Sequence, residues 1–291
     1  MPNESAKSRI VPILYRPFDV RYTFYTGKPN GFHERPRPEV MRHLLAGENV
    51  AIITTRAQSQ QEPYWSKVFV TTILNEGHFA TDINYAFPLY LYPDAAGEQG
   101  ALMPEAGRTV NLSKEYLQAL AGVLGQTPAP EAVLGYLYAV LHSPAYRTRY
   151  AEFLKRDFPR VPLPPDKATF DALAQLGRTL IDLHLLRDPA LNTPSCKYPV
   201  AGDHRVERVA YDESEQRVWI NAAQYFEPVP PEVWAYRVGG YQVCHKWLDD
   251  RKGAVLSYDE RLTYQRMVTA LERTLALQAQ IDAVACGAWG W

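Results

Sequence analysis

The 291-residue chain is poor in the features that most directly declare a function. It holds three cysteines, Cys196, Cys244 and Cys286, and no C-x-x-C pair. That argues against a disulfide framework or a thiolate zinc site, and fits reduced, buried thiols in a cytoplasmic protein. No apolar run nears the ~20 residues of a membrane-spanning helix; residues 86–92 are among the longest. The opening MPNESAKSRIVPILYRPFD lacks the basic-then-apolar pattern of a signal peptide, so nothing predicts export. Charge of neither sign dominates. A formal net charge of −1 argues against strong non-specific binding to nucleic acid, which needs a distinctly basic surface. Signatures of self-contained chemistry are missing as well: no G-x-x-x-x-G-K-[ST], no G-x-G-x-x-G after a strand, no H-E-x-x-H and no G-x-S-x-G. The seven histidines are dispersed, and His142 and His184, within helical patterns, are expected to pack or cap. The segment Asn84–Pro88 lacks the adjacent prolines of an Asn-Pro-Pro-Tyr base-holding motif. No catalytic residue, cofactor site or metal ligand is therefore expected on this chain.

What is present is a hydrophobic content of 46%, enough for a real core. Residues 49–55 (NVAIITT), 68–74 (VFVTTIL) and 87–92 (FPLYLY) are β-branched or aromatic runs bounded by Gly, Asn and Pro, so strands are expected there. The first hundred residues read as strands and loops, with a polar loop at 56–66 (RAQSQQEPYWS) and a Gly/Ala/Pro-rich surface loop at 94–108. Helices are expected over 111–124 and 131–141, where apolar residues recur at three-and-four spacing. Ser143 offers an N-cap with Pro144 at the first helical position. On the helix that follows, Tyr146, Tyr150, Phe153 and Leu154 share one face, while Arg147, Arg149, Lys155 and Arg156 lie off it. Residues 158–165 (FPRVPLPP) must run extended. A second amphipathic helix is expected over 166–186, a hairpin over 206–220 with an acidic turn at 212–215, and a last helix opened by the capping box of Ser257 and Glu260.

Binding features are more pronounced than catalytic ones. Basic residues crowd the first sixty positions, among them Arg16, Arg21, Lys28, Arg35 and Arg37. Arg56, Gln58 and Gln60 share one loop with Tyr64 and Trp65, and Arg and Gln are the side chains that pair bidentately with guanine and adenine edges. The same composition also suits an ordinary polar loop. Arg16 and Arg21 equally suit ion pairs with Asp19 or a neighbouring strand.

Several long segments carry a resemblance. Tyr15-Arg-Pro-Phe-Asp19 with Arg21, Arg56 with Gln58, the run from Phe87 to Pro93, and Tyr138-Ala-Val-Leu-His-Ser-Pro-Ala-Tyr-Arg147 through Pro162 occur in order. So do Val238-Gly-Gly-Tyr-Gln-Val243, Lys246-Trp-Leu248, Arg251-Lys-Gly253 and Leu256-Ser-Tyr258. Together they resemble the C-terminal target recognition region of Type ISP restriction–modification enzymes, with Type IIG single-chain relatives. The resemblance implies an α+β fold: a mixed strand and helix recognition domain over 1–165, then a helical spacer over 166–291 with a β-hairpin insertion at 191–256 and a C-terminal helix. It implies sequence-specific recognition of double-stranded DNA for a phage-defence enzyme with adenine-N6 methyltransferase and endonuclease activity. Those catalytic domains, and with them S-adenosylmethionine, ATP and Mg, are expected outside this chain, which is then a fragment or a separately encoded subunit. Arg56, Gln58 and Gln60 are the expected base readers. Arg16, Arg21, Lys28, Arg35, Arg37, Arg147 and Arg149 are the expected backbone contacts. The partners expected are DNA and an adenine methyltransferase domain in cis or trans, with no membrane. The alternative is a docking module that grips the methyltransferase through its helices and the Gly239-Gly240 segment without reading DNA; a nuclease is a third reading.

Overall fold

The computed structural model of the chain describes residues 9–29, 32–57, 62, 64–93 and 107–291. It opens on an antiparallel hairpin, β1 (Ile10–Arg16) and β2 (Asp19–Phe24). At its turn Phe18 takes a left-handed φ of 62° and buries its ring edge-on against Phe69 and His184. A short helix, α1 (Pro38–Leu45), follows and corrects the expectation of strands and loops throughout the first hundred residues. Pro38 in the first turn, Glu39 beside the helix dipole and the buried pair Met41 and Leu44 stabilise it locally. Then come β3 (Ala51–Thr55), β4 (Val68–Thr71), β5 (Leu74–Asn75) and β6 (Asn84–Pro88). β3 is the centre of an antiparallel sheet in the order β4-β3-β6, and all five of its residues are buried. The strand expected at 68–74 is split in two. The Thr71 hydroxyl donates to the Ile73 carbonyl and accepts its N–H, turning the chain out of one sheet so that β5 pairs in parallel with β1. The strand expected at 87–92 is likewise two, β6 and β7 (Tyr90–Leu91), the latter paired with β8 (Thr109–Val110). Most of the expected 94–108 loop lies outside the described residues.

The helices are α2 (Lys114–Leu124), α3 (Pro130–His142), α4 (Pro144–Arg149), α5 (Ala151–Leu154) and α6 (Lys167–His184). Ser143 caps α4 as its sequence position predicts, and Asp166 caps α6, its side chain accepting the Thr169 N–H. Next stand a three-stranded antiparallel sheet of β9 (Ala210–Asp212), β10 (Arg217–Trp219) and β11 (Tyr225–Phe226), and a short helix α7 (Pro231–Trp234). The hairpin β12 (Arg237–Val238) and β13 (Tyr241–Gln242) leads into α8 (Val243–Asp249) and the 32-residue α9 (Tyr258–Trp289), which carries the expected capping box. The architecture is α+β, and the region 191–256 holds more than a hairpin.

Helices α3 and α6 touch backbone to backbone. A Cβ on Gly177 would lie 1.8 Å from the Gly135 carbonyl oxygen, and one on Gly135 would lie 2.5 Å from that of Ala174. This contact crosses the expected division at 165/166. So do both large apolar clusters: Leu14, Phe18 and Phe69 pack with Trp247 and Leu271, and Ile52, Tyr136 and Tyr138 with Leu173 and Ile281. The extended run after α5 is held by tyrosines, as Tyr136 Oη donates to Pro162 O (2.7 Å) and Tyr146 Oη to Arg160 O (2.8 Å). Asp282 of α9 accepts from the Ser143 hydroxyl and from Ala145 N–H, fixing the start of α4 from the far end of the chain.

A polar chain is buried between these helices. Tyr138 Oη and His184 Nδ1 are 2.6 Å apart, and His184 Nε2 and Thr274 Oγ1 3.0 Å apart. Burial, with the nearby Arg147 charge second, pushes the His184 pKa down to about 3 and also lowers that of His142. Both rings are therefore neutral in the folded chain near pH 7. The unfolded chain takes up these protons below its ordinary pKa of about 6.5, so their contribution to stability is complete above that value. It falls as pH drops below that value, by up to about 1.4 kcal/mol per pH unit for each ring, and for His184 the fall continues toward about 3. Urea unfolding should show the decline already between pH 6.5 and 5, before most carboxylates titrate, and His184→Gln should flatten it. Equal stability at pH 7 and 5 would refute this. Gly177→Ala should destabilise by about 1–3 kcal/mol or more through overpacking. Gly122→Ala on α2, where a Cβ meets nothing within 4 Å, should instead stabilise by up to about 1 kcal/mol in the same measurement.

Candidate nucleic-acid interface

β3 is buried to its last residue, and the chain leaves the sheet at Arg56, whose side chain is 67% exposed. Its Nε donates to Asp157 Oδ1 (3.3 Å), and Arg160 stands 3.7 Å from the other carboxylate oxygen. The Phe158 backbone N–H, ahead of Arg56 and Arg160, holds the Asp157 carboxyl below its ordinary pKa. The residue at which the extended run begins thus also tethers the expected base reader. Gln58 and Gln60 lie outside the described residues.

The loop returns through Glu62, Tyr64, Trp65 and Ser66 to Lys67, whose side chain is wholly buried. Lys67 Nζ lies 2.9 Å from Glu62 and also pairs with Asp82. Ser66 Oγ accepts the Gly239 N–H (3.0 Å). The Gly239-Gly240 turn is therefore committed inside the chain, against Ala80 and Thr81. The docking alternative had assigned that turn to a partner.

Beside Arg56 lies an aromatic face that the sequence reading did not single out. On β6 Tyr85 and Phe87 point outward and remain 41% and 43% exposed, while Ala86 between them faces the core. Phe158 packs edge-on against both rings, with centroids at 5.2 and 5.5 Å. The signal was available in the alternation of Tyr85, Ala86 and Phe87, but it is visible only once the strand begins at Asn84 rather than at Phe87.

Arg147 sits in a cleft of about 370 Å³ lined among others by Tyr64, Thr148, Tyr236, Arg237 and Gln278. Its Nε donates to the Leu141 carbonyl (2.8 Å), and its guanidinium faces the Trp65 ring at 5.6 Å. Burial lowers its pKa, opposed by the nearby Tyr236, Tyr138 and Tyr64 hydroxyls and the Asp282 carboxylate. Among the described residues no carboxylate lies within ion-pair distance of it. It does not project from an open edge, as the off-stripe position suggests; Arg149, in the same helix, is exposed.

The remaining expected contacts divide into two groups. Arg16 binds Glu76 (2.8 Å) and Arg21 binds Asp19 (3.0 Å), and both guanidinium groups lie over the Tyr15 ring at 4.1 Å. The ion-pair reading of these two is therefore observed. Asp19 is buried and also receives Arg251 (2.7 Å), which ties the first hairpin to the turn that follows α8. Arg35 and Arg37 line a shallow hollow with Glu34 and Glu39, next to exposed Lys28, and Arg37 stands 3.9 Å from Glu39. Among the described residues no cluster of His, Cys, Asp and Glu is arranged to hold a metal, and no helix is long and apolar enough to cross a membrane. Chemically, the described surface offers exposed guanidinium groups and partly open aromatic rings, both suited to binding.

The model of the Type ISP C-terminal specificity domain matches residues 2–279. Among solved structures, a nuclease-deletion mutant of the Type ISP restriction–modification enzyme LlaGI, in complex with a DNA substrate mimic, is similar at a TM-score of 0.68 and 22% identity, over 94% of this chain and 20% of that one. The ATP-dependent Type ISP enzyme LlaBIII bound to DNA is similar at 0.71 and 18% identity, over 94% and 18%. A DrdV–DNA complex gives 0.68 and 24% identity, over 96% and 28%. The chain thus spans between 18% and 28% of the length of these structures, and the likeness to them is one of fold. No curated protein matches.

Proposed function

The chain belongs to the family of Type ISP C-terminal specificity domains, and from that premise we propose that it selects the target sequence in double-stranded DNA for a restriction–modification enzyme. The family match over nearly the whole chain carries this reading, and its neighbours, themselves described bound to DNA or a DNA mimic, support it. The chain performs no chemistry alone. Adenine-N6 methylation, cleavage, and the S-adenosylmethionine, ATP and Mg they require belong to other domains, in cis or in trans.

Arg56 is the leading base reader. It is the first exposed residue after a rigid buried strand, and a guanidinium pairs in bidentate fashion with guanine O6 and N7. Gln58 and Gln60 follow it on the same loop. Arg149, Lys28, Arg35 and Arg37 suit phosphates, because they are exposed on helix ends and turns. Arg16 and Arg21 are weaker candidates because their carboxylate-bound side chains are less exposed, 14% and 40% against 59% for Arg37 and 67% for Arg56, and Arg147 can serve only where a phosphate enters its cleft. The docking reading loses its Gly239-Gly240 handle, while the exposed Tyr85, Phe87 and Phe158 face would suit either DNA or a neighbouring domain.

Selection of bound duplexes from a random pool by the purified chain tests the proposal. One enriched sequence is expected. On it Arg56→Ala should lose about 1–3 kcal/mol and relax discrimination at one base pair. Arg149→Ala should weaken all sequences alike and reduce the salt slope by about 1. Binding with neither sequence preference nor salt dependence would identify a docking module instead.

A further inference from the structure

The loop that carries Arg56 is held at both ends. Its outgoing end leaves the fully buried strand β3 directly at Arg56. Its returning end is held by a buried polar cluster that no catalytic or binding role has absorbed. Lys67 Nζ, with no exposed surface, bridges Glu62 of the loop and Asp82. Thr81 Oγ1 donates to Glu62 Oε1 (2.6 Å) and accepts the Gly240 N–H (3.2 Å).

Two further observations mark this cluster as more than packing. Thr81 takes φ 74°. A β-branched residue is rarely found in the left-handed region, and such strain persists only where the surroundings impose it. The second is the fit of the Gly239-Gly240 turn. A Cβ on Gly239 would lie 2.2 Å from the Ala80 carbonyl oxygen, and one on Gly240 would lie 2.8 Å from Thr81 Cγ2 and 3.3 Å from Glu62 Oε1. Two carboxylates, a buried ammonium, a strained threonine and a side-chain-free turn thus meet at one point. Between the two anchors, Arg56 and Glu62, the chain has five residues, among them Gln58 and Gln60. An extended chain spans at most ~3.3–3.6 Å per residue, so fixing both ends of so short a segment restricts where its side chains can reach. Base readout depends on that placement.

We infer that Lys67, Glu62, Thr81 and the Gly239-Gly240 turn are positioning residues for target selection, so that a hairpin in the C-terminal half helps set which sequence the N-terminal loop prefers. This rests on the reading of the chain as a DNA target selector. None of these groups touches DNA in this role. They act by holding the returning limb of the loop, and their loss changes discrimination more than overall affinity.

The test compares selection from a random duplex pool, and affinity for the winning site against its single-base variants, for the wild-type chain and for Thr81→Gly, Thr81→Ser and Gly240→Ala. Thr81→Gly accepts the left-handed backbone without strain and removes the hydroxyl that links Gly240 to Glu62, so its melting temperature should stay within a few degrees of wild type or rise. Its discrimination among single-base variants should nevertheless fall roughly tenfold. Thr81→Ser, which keeps the hydroxyl, should retain the wild-type preference. Gly240→Ala, which pushes on Thr81 and Glu62, should lose preference like Thr81→Gly. A purely structural cluster would lower the melting temperature and weaken every sequence equally, and that result overturns the inference, as does unchanged discrimination in Thr81→Gly. A wild-type chain that selects no sequence overturns the underlying DNA reading, and the inference with it.

Discussion

The close approach of Gly135 to Gly177 is the constraint on which the rest of the fold depends. Only two residues without side chains allow α3 and α6 to meet at their backbones, and that separation fixes everything hung on either helix. Tyr136 and Tyr138 flank the contact. The first reaches the Pro162 carbonyl and the second reaches His184, on the partner helix itself. With Tyr146 holding Arg160, the tyrosines satisfy carbonyls of an extended run whose prolines cannot build a ladder of their own. The same run begins at Asp157 and Phe158, so the geometry set by two glycines is transmitted to the carboxylate on Arg56 and to the ring on Tyr85 and Phe87. Greasy packing, exposed arginine and a stiff proline exit are thus parts of one connection between core and surface.

Charged groups make the other long-range joints. Asp19 is buried with Arg21 and Arg251, and Arg251 also lies over the Trp247 ring at 3.5 Å while Trp247 Nε1 donates to the Phe18 carbonyl (3.4 Å). Lys67 does the same for Glu62 and Asp82. Buried pairs of this kind add little net stability, because desolvation opposes their attraction, but removing one partner strands the other. Their effect is to specify which segments meet. The first hairpin and the recognition loop are therefore not a detachable unit, and a boundary drawn at the last proline falls inside a shared core.

Helices were legible in the sequence, and their ends were legible to within a few residues, because caps and periodicity are local. Ser143 and the Ser257 box each cap where expected, and the helix expected from residue 166 is capped by Asp166. Strands were legible in number more than in register. Thr71 diverts a continuous VFVTTIL run into two different sheets, a decision made by one hydroxyl and by the neighbour available to Leu74. The α1 helix was hidden by prolines that read as loop but serve as its first turn. At the candidate interface, the exposed position of Arg56 and the Arg21–Asp19 pair followed from local sequence, whereas the partner of Arg16, Glu76, lies 60 positions away. The tether to Asp157, the cleft around Arg147 and the Gly239-Gly240 contact did not, since each joins residues more than 80 positions apart and nothing in a single sequence marks such pairs.

The near-zero net charge then acquires a physical meaning. Among the arginines first assigned to phosphate, Arg16, Arg21 and Arg37 are each matched by a carboxylate of the same chain, and Arg56 is matched by Asp157. A surface neutralised in this way releases few counterions on meeting DNA, and so gains little of the sequence-independent affinity that dominates non-specific binding. On the proposed reading, affinity comes instead from contacts that require the right bases, where Arg56 would exchange an exposed carboxylate for a guanine edge at modest cost. Discrimination is the ratio of specific to non-specific binding, and suppressing the second term raises it as surely as strengthening the first. For a domain proposed to choose a sequence, internal pairing of its own arginines is a direct route to selectivity.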